Sequence, residues 1–279
     1  MKVPKSLTSV VQAGVITEVV SRLMSGKEAD VYVVLCGEVI RCAKVYKDAT
    51  QRSFRHRTVY TEGRSVRNSR RSRAMEKKTR YGREEQEEAW QNMEVQALTQ
   101  LQAAGVRVPA TYTFLDGVLL MELVVDEEGN PAPRLHDVTF TPEKAREYHL
   151  TLMQDIVRML CAGIIHGDLS EYNLLLGAKG PVIIDLPQAI QASGNNQAER
   201  LLARDIQNLT LYFGQFAPEL LSTKYEKEIW LLYKKGKLTP DTKLTGQFEE
   251  STKRVNLTDL LRTIEDVNIE EQKRKERLS

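Results

Sequence analysis

HGDLSEYN, at residues 166–173, and PVIIDLPQ, at residues 181–188, carry the strongest signal in this sequence, because they place polar side chains where a packed core would exclude them. Asp168 and Asn173 lie five residues apart in a loop that directly follows a predicted helix. Asp185 ends the apolar strand formed by residues 182–184, where an ionised carboxylate is costly unless a cation compensates it. A divalent metal does this well, and Asn173 offers a neutral oxygen to the same ion. The sequence therefore predicts a metal site at Asn173 and Asp185.

A second polar pair lies upstream of these motifs. Lys44 belongs to a predicted β-strand, and Glu94 lies on a predicted helix between Trp90 and Leu98, so a carboxylate interrupts an apolar stripe. Glu94 needs a cation, and Lys44 is the natural candidate. Together with the predicted metal site, this is the set of groups that phosphoryl transfer from a nucleotide requires. Lys44 would steady the α- and β-phosphates, Glu94 would hold Lys44, and Asp168 would orient the attacking hydroxyl.

The order of predicted elements indicates an α+β protein with a β-rich N-lobe, a helical C-lobe and a cleft between them. Hairpins are predicted at Gly37-Glu38 and Asp116-Gly117. The predicted domains are an N-terminal helical extension (1–22), an N-lobe (23–125) and a C-lobe with a charged tail (126–279). The predicted helices cover Val10–Val20, Glu84–Ala104, Pro142 to near Gly163 with Thr141 as N-cap, Ala198–Phe213 and Ala217–Lys234.

Charge is distributed unevenly along the chain. Residues 47–83 contain thirteen Lys or Arg against three acids, a local net charge of +10 in a chain of net charge +2, so the remainder carries −8. This segment also lacks apolar periodicity, and we interpret it as a flexible basic insertion. It suits RNA or another phosphate-rich ligand, a platform for regulatory serines, or a solvated insertion without a partner.

Composition excludes several classes of protein. The chain has 279 residues, of which 41% are hydrophobic and 28% charged, as in ordinary globular proteins. No apolar run is long enough to span a bilayer, and no signal peptide opens the chain. Three cysteines without a CxxC motif make a disulfide framework or a thiolate zinc site unfavourable. The sequence predicts a cytoplasmic protein with no membrane partner.

Five segments resemble the RIO family of atypical serine protein kinases, over about residues 20–215. They are SGKEADVY (25–32), WQNMEVQALTQLQAAGVRVP (90–109), HGDLSEYN, IIDLPQ (183–188) and RDIQNLTLYF (204–213). The resemblance is closest to the subfamily without an N-terminal winged helix. It implies a two-lobed protein-kinase-like fold, ATP with Mg²⁺ or Mn²⁺, serine phosphorylation and autophosphorylation. Members of this family act in small-ribosomal-subunit maturation, so the basic segment would contact RNA or the ribosomal subunit.

The resemblance also implies nucleotide-binding residues. Ser25, Gly26 and Lys27 would cover the phosphates, with Gly26 as the one glycine of the usual loop. The main-chain groups of Glu122 and Val124 would bind adenine. The side chains that would pack on the base are those of Val31 and Cys42.

This sequence departs from ordinary kinases in three motifs. His166-Gly167-Asp168 stands in place of H-R-D, and Asp185-Leu186-Pro187 in place of D-F-G. FAPEL, at residues 216–220, is interpreted as a proline that opens the next helix, and a reduced substrate-binding region follows from the 60 residues that remain. Asp205 would either hydrogen-bond the catalytic loop or form a salt bridge on the helix surface.

Two other functions stay open at this point. Aminoglycoside and choline kinases, which are small-molecule phosphotransferases, also show HGD…N and IID motifs. A nucleotide-gated RNA-binding ATPase would use the same site to drive release of its RNA.

Overall fold

The computed structural model describes residues 2–26, 29–47 and 93–248. Met1–Gly246 forms one compact unit, and Gln247–Ser279 forms a second, of which Gln247 and Phe248 are described. Within the described ranges, no helix is long and apolar enough to cross a membrane. Lys27, Trp90, the charged tail and all of the basic segment except Lys47 lie outside the described residues.

A five-stranded antiparallel sheet forms the N-lobe, in the order β1-β2-β3-β5-β4. The strands are β1 (Glu18–Ser25), β2 (Ala29–Cys36), β3 (Val39–Tyr46), β4 (Thr111–Leu115) and β5 (Val118–Met121). Both predicted hairpins are confirmed. Gly37 has a φ of 63°, and Asp116 and Gly117 have φ of 49° and 72°, two consecutive left-handed residues that are typical of a type I′ turn. Lys44 lies opposite Val31 of β2 and Leu119 of β5, so the sheet holds its backbone from both sides.

The segment before the sheet is helical over a shorter range than the sequence predicts. It consists of a 3-10 turn, Lys5–Leu7, and helix α1, Thr8–Gln12. The helix predicted over Val10–Val20 is wrong beyond Gln12, because Gly14 has a φ of 73° and the chain then enters β1. β1 begins at Glu18, before residue 23, where the sequence predicts the start of the N-lobe.

This N-terminal segment covers one face of the sheet. Leu7 and Val10 are 0% and 1% exposed and belong to an apolar cluster with Val34 and Leu120 of the sheet. The cluster is separate from the main core. The segment is therefore part of the N-lobe and not an appendage to it.

Residues 93–103 are helical and form α2, which carries Glu94. The helix predicted over Glu84–Ala104 is confirmed for this part, and residues 84–92 lie outside the described residues. Gly105, with a φ of 76°, follows its end in the left-handed conformation typical of a helix C-terminus. Leu98 and Leu101 of α2 are buried in the main core, so the helix is packed firmly beside the sheet.

The described part of the C-lobe, up to residue 248, contains three α-helices and two short strand pairs. They are α3 (Pro142–Cys161), α4 (Ala198–Phe213), α5 (Tyr225–Lys234), the pair β6 (Ile164–Ile165) with β9 (Ile190–Gln191), and the pair β7 (Leu174–Gly177) with β8 (Gly180–Ile183). The predicted bounds of α3 and α4 are confirmed. The Thr141 hydroxyl accepts a hydrogen bond from the Lys144 amide at 3.3 Å, which is the predicted N-cap.

The helix predicted over Ala217–Lys234 is wrong over residues 217–224. Pro218 opens a 3-10 turn, Pro218–Ser222, and α5 begins only at Tyr225. Thr223 separates the two with an extended backbone, at φ −72° and ψ 153°, which no helix can contain.

Candidate active site

Lys44 lies between two carboxylates where the sheet meets the C-lobe. Its Nζ donates to Glu94 Oε1 at 2.6 Å and to Asp185 Oδ1 at 2.9 Å. The hydroxyl of Tyr46 donates to the other oxygen of Glu94 at 2.6 Å. Lys44 and Glu94 therefore form the ion pair that the sequence predicts, and Asp185, from 141 residues further along the chain, is a second partner.

The charges in this cluster keep one another ionised. Burial alone would lower the pKa of Lys44, but the carboxylates of Asp185 and Glu94 raise it well above its usual value. Desolvation would raise the pKa of Asp185, but the charge and hydrogen bond of Lys44 hold it below its usual value. The Glu94 side chain is 1% exposed and that of Asp185 is 44% exposed. One cation between two anions leaves a surplus negative charge, and it faces solvent on the side of Asp185.

Asp185 has an unusual backbone conformation for a residue that is not glycine. Its φ is 65°, in the left-handed region, and it lies two residues after the buried end of β8 at Ile183. The amide of Ile184 donates to the Asn173 carbonyl at 3.0 Å, which ties the end of this strand to the preceding loop. Strained residues of this kind are concentrated at functional sites, and here the turn points the carboxylate at Lys44.

The loop that carries Asp168 lies beside this turn. The Asn173 side-chain amide donates to the Asp168 carbonyl at 2.8 Å, and its Oδ1 accepts no hydrogen bond from the residues that the structure describes. The Gln188 amide donates to Asp168 Oδ2 at 3.1 Å. Burial raises the pKa of Asp168, and Asp185 is close enough for its charge to act in the same direction. The structure thus brings Asp168, Asn173 and Asp185 together.

Helix α4 anchors the backbone of the same loop. Asp205 accepts hydrogen bonds from the amides of Gly167 at 2.8 Å and Leu169 at 3.0 Å. Arg204 donates to the Gly167 carbonyl, and Asn208 donates to the Leu169 carbonyl at 3.0 Å. Of the two roles that the sequence leaves open for Asp205, the structure shows the loop contact. Burial raises its pKa to about 6, and the two backbone amides act against that rise.

His166 joins the loop to Ile184, the residue between β8 and Asp185. An amide can only donate, so the 3.3 Å contact from the Asp168 amide makes Nδ1 of His166 the acceptor. Nε2 then carries the proton and donates to the Ile184 carbonyl at 3.1 Å. His166 is 1% exposed, and this fixed tautomer holds the loop and the Asp185 turn in register.

Ser25 and Gly26 begin the turn between β1 and β2, and a cation braces it. The Lys47 Nζ donates to the Gly26 carbonyl at 2.7 Å and to Ser25 Oγ at 3.3 Å. Asp30 holds Lys47 at 3.2 Å. Lys27 lies outside the described residues. Sequence reasoning assigned Lys47 to the basic segment and missed this role, because the spacing of these residues carries no recognisable signal.

The segment that connects the lobes begins at Glu122, directly after β5. The Glu122 carboxylate accepts two hydrogen bonds from Arg107, at 2.7 and 2.9 Å, a bidentate pair that the sequence did not reveal. The Glu122 amide donates to Ala110 at 2.8 Å, and the Val124 carbonyl accepts from Ala132 at 2.9 Å. Among the described residues, the Glu122 carbonyl and the Val124 amide have no hydrogen-bond partner.

Val31 and Cys42 lie on the central strands next to Lys44 and Met121. Val31 is opposite Lys44, and Cys42 is opposite Met121 at the end of β5. Burial raises the pKa of the Cys42 thiol to about 12, so the thiol stays neutral and presents an apolar surface.

In the β-sheet lobe, a lysine is held by a helix glutamate. The helical lobe adds a loop with an aspartate and an asparagine, and a second aspartate that follows a buried strand. This combination of fold and site defines a protein-kinase-like phosphotransferase. The model of the RIO domain matches residues 30–227, which is more than half of the chain. The chain therefore belongs to the RIO family of serine/threonine-protein kinases.

Individual relatives agree with this. The chain is 36% identical to the RIO-type serine/threonine-protein kinase Rio1 of Haloferax volcanii over 212 residues, which is 75% of this chain and 67% of the relative. It is 29% identical to Rio2 of Methanocaldococcus jannaschii, over 76% of this chain and 73% of the relative. Human serine/threonine-protein kinase RIO1 is 28% identical, but the match spans only 36% of that protein. The predicted subfamily stays a prediction.

One solved structure shows the fold. It is the Rio2 kinase–ADP/Mg²⁺–phosphoaspartate complex from Chaetomium thermophilum, with a TM-score of 0.51 and 22% identity. The match covers 75% of this chain and 59% of that structure. At this level of identity, the likeness establishes the two-lobed kinase-like architecture of this chain.

Proposed function

We propose that this chain transfers the γ-phosphoryl group of ATP to serine or threonine hydroxyls of proteins, and that its own serines are among the first acceptors. The observation that carries the proposal is the Lys44 ammonium group at 2.6 Å from Glu94 and 2.9 Å from Asp185. A buried lysine fixed between a helix carboxylate and a strand-end carboxylate is the group that steadies the nucleotide phosphates in protein kinases. The family relationship supports the same reaction.

Asn173 and Asp185 suit Mg²⁺ or Mn²⁺. Asp185 supplies a half-exposed carboxylate with surplus negative charge, and Asn173 supplies an amide oxygen. The described residues contain no cluster of three or more His, Cys, Asp or Glu side chains that would form an all-protein metal site. Mg²⁺ commonly binds through one or two protein ligands together with substrate phosphates and water, so this donor set fits. The metal, when bound, would neutralise charge that develops on the transferring phosphoryl group.

The other site residues take the remaining roles. Ser25, Gly26 and Lys27 cover the phosphates, while Lys47 and Asp30 keep the first part of that turn in shape. The Glu122 carbonyl and the Val124 amide bind the adenine edge, and the apolar surfaces of Val31 and Cys42 pack on its face.

Asp168 acts on the acceptor. Its carboxylate accepts the proton of the attacking hydroxyl while the new P–O bond forms and the bond to the ADP oxygen breaks. Asp205 and His166 keep its backbone in place through the loop.

The charge of the basic segment favours a polyanionic partner for the same protein. A local net charge of +10 over residues 47–83 would bind RNA or a ribosomal subunit by phosphate contacts, without reading base sequence. A cytoplasmic location stays a prediction.

Acceptor choice tests the proposed reaction. Purified protein with γ-labelled ATP and Mg²⁺ is given, in separate reactions, no acceptor, a serine-containing protein, or an aminoglycoside or choline. We expect label in protein in the first two reactions and none in the small molecules. Efficient transfer to a small molecule with no protein label would show a small-molecule phosphotransferase. Release of free phosphate alone would show an ATPase.

A further inference from the structure

Asp168 and Gln188 are brought together by β6 and β9, the shorter of the two strand pairs described in the C-lobe. Ile165 of β6 pairs with Ile190 of β9, in antiparallel orientation. Asp168 lies three residues after Ile165 and Gln188 two residues before Ile190, so both fall at the same end of this pair. The Gln188 Nε2 reaches Asp168 Oδ2 at 3.1 Å.

The backbone on either side of Gln188 is fixed. The Ala189 amide donates to the Leu186 carbonyl at 3.1 Å, which closes a turn around Pro187 and Gln188. Leu186, Ala189 and Ile190 are buried, at 1%, 8% and 3% exposed. Gln188 therefore presents its side-chain amide to Asp168 from a backbone that is held in place.

The other hydrogen bonds of Asp168 hold its main chain. Its amide donates to His166, and its carbonyl accepts from Asn173. Within the described part of the chain, the carboxylate accepts a hydrogen bond from Gln188 and from no other residue. Without Gln188, the carboxylate would lose this hydrogen bond, and only longer-range charges such as that of Arg204 would act on its orientation.

We propose that Gln188 is the positioning residue for the phosphoryl acceptor: it holds Oδ2 of Asp168 so that Oδ1 faces the incoming serine hydroxyl. A neutral amide suits this task, because it fixes the carboxylate without cancelling the charge that receives the proton. The acceptor proton goes to Oδ1 as the serine oxygen bonds to the γ-phosphorus, and the bridging oxygen leaves with ADP. The inference rests on the proposed function and adds to it the group that orients the catalytic carboxylate.

A bulky protein acceptor and a water molecule should respond differently to its loss. A serine on a polypeptide approaches in one orientation and needs the carboxylate in one place, whereas water adapts to a rotated carboxylate. Gln188→Ala should lower kcat for transfer to serine about ten- to a hundred-fold, the range expected for a hydrogen bond to a charged group. ATP hydrolysis should fall less than about threefold, and KM for ATP should stay within about twofold.

Two further variants sharpen the test. Gln188→Glu has nearly the same volume but lacks the donor and places a second negative charge beside Asp168. Transfer to serine should therefore fall at least as far as in Gln188→Ala. KM for ATP should be unchanged, which would show that the fold is intact. Gln191→Ala removes an exposed glutamine from β9, three residues further on, and should leave transfer and hydrolysis unchanged.

Three results for Gln188→Ala would overturn the inference: equal reductions of transfer and hydrolysis, a change in KM for ATP alone, or no change at all. If the wild type still transfers phosphate to serine in these cases, the proposed function stands. Wild-type protein that never labels serine would overturn both.

Discussion

Asp185 combines a left-handed backbone, with φ of 65°, a 2.9 Å contact to Lys44 and a side chain that is 44% exposed. Asparagine tolerates the left-handed region and has the same shape, so Asp185→Asn removes charge without disturbing the turn. We expect this variant to weaken binding of Mg·ATP at least tenfold and binding of metal-free ATP much less. Titration calorimetry with and without Mg²⁺ measures both affinities. Equal weakening in the two titrations would remove Asp185 from the metal site.

Asp155 of α3 is 2% exposed, and burial raises its pKa from 3.8 to about 6, although Arg158 at 2.9 Å acts against the rise. A carboxyl whose pKa is raised by folding stabilises the native state below about pH 4, and this contribution is lost as pH rises through about 6. The free energy of unfolding of the wild type, minus that of Asp155→Asn, should therefore fall by at most about 3 kcal/mol from pH 4 to pH 7.

Urea unfolding at several pH values measures this difference. His149, whose pKa burial lowers to about 4, acts in the opposite direction over the same range, but its contribution is common to both proteins and cancels. If this difference in unfolding free energy is constant or rises with pH, folding does not raise the pKa of Asp155.

The sequence predicts those site residues whose charge conflicts with an apolar context. Glu94 interrupts a helix stripe and Asp185 ends a dry strand, so each requires a cation, and Lys44 serves both. It does not predict the bond from Lys47 to the Gly26 carbonyl, because a backbone acceptor leaves no mark in the sequence. It does not predict the pair of Arg107 with Glu122 either, because charged side chains that are partly exposed are normal at a protein surface.

The N-terminal helical segment is an element whose contribution can be measured. Leu7 is 0% exposed and packs with the sheet cluster, whereas Val3 is 39% exposed. Leu7→Ala should lower the free energy of unfolding by about 2–4 kcal/mol, and Val3→Ala should change it by less than about 0.5 kcal/mol. Denaturant unfolding of both variants tests this. Similar small effects of the two substitutions would mean that the segment is not part of the folded N-lobe.

Element boundaries show why sequence patterns succeed in some places and fail in others. α3 and α4 have long apolar stripes, and α3 also has the Thr141 cap, so their bounds are predictable. α1 and α5 are short, and their limits depend on the backbone conformations of Gly14 and Thr223. Hydrophobic periodicity does not report a single residue that leaves the helical region, since apolar side chains continue on both sides of it.

At the scale of the whole molecule, the positive charge of residues 47–83 predicts that the protein binds RNA with an affinity that depends on salt. Deleting residues 50–80 should lower affinity for RNA and reduce the slope of log affinity against log salt by roughly 0.7–0.9 for each phosphate that the protein no longer neutralises. Replacing Arg70, Arg71 and Arg73 by glutamine keeps the chain length and should give part of that change. Filter binding at several salt concentrations measures the slope, and a slope unaffected by the deletion would leave the segment without a role in RNA binding.

The proposed phosphoryl transfer assigns the acceptor proton to Asp168, and one labelling experiment decides whether the site works in this way. Wild-type protein and Asp168→Asn are each incubated with γ-labelled ATP and Mg²⁺, and the labelled residue is identified by its chemical stability and by peptide mapping. We predict acid-stable phosphoserine within residues 50–83 of the wild type, which include Ser53, Ser65, Ser69 and Ser72. Asp168→Asn should carry no label although it binds Mg·ATP within about threefold of the wild type. Equal labelling of both proteins, or label at Asp185 that hydroxylamine removes, would contradict serine phosphorylation by this site.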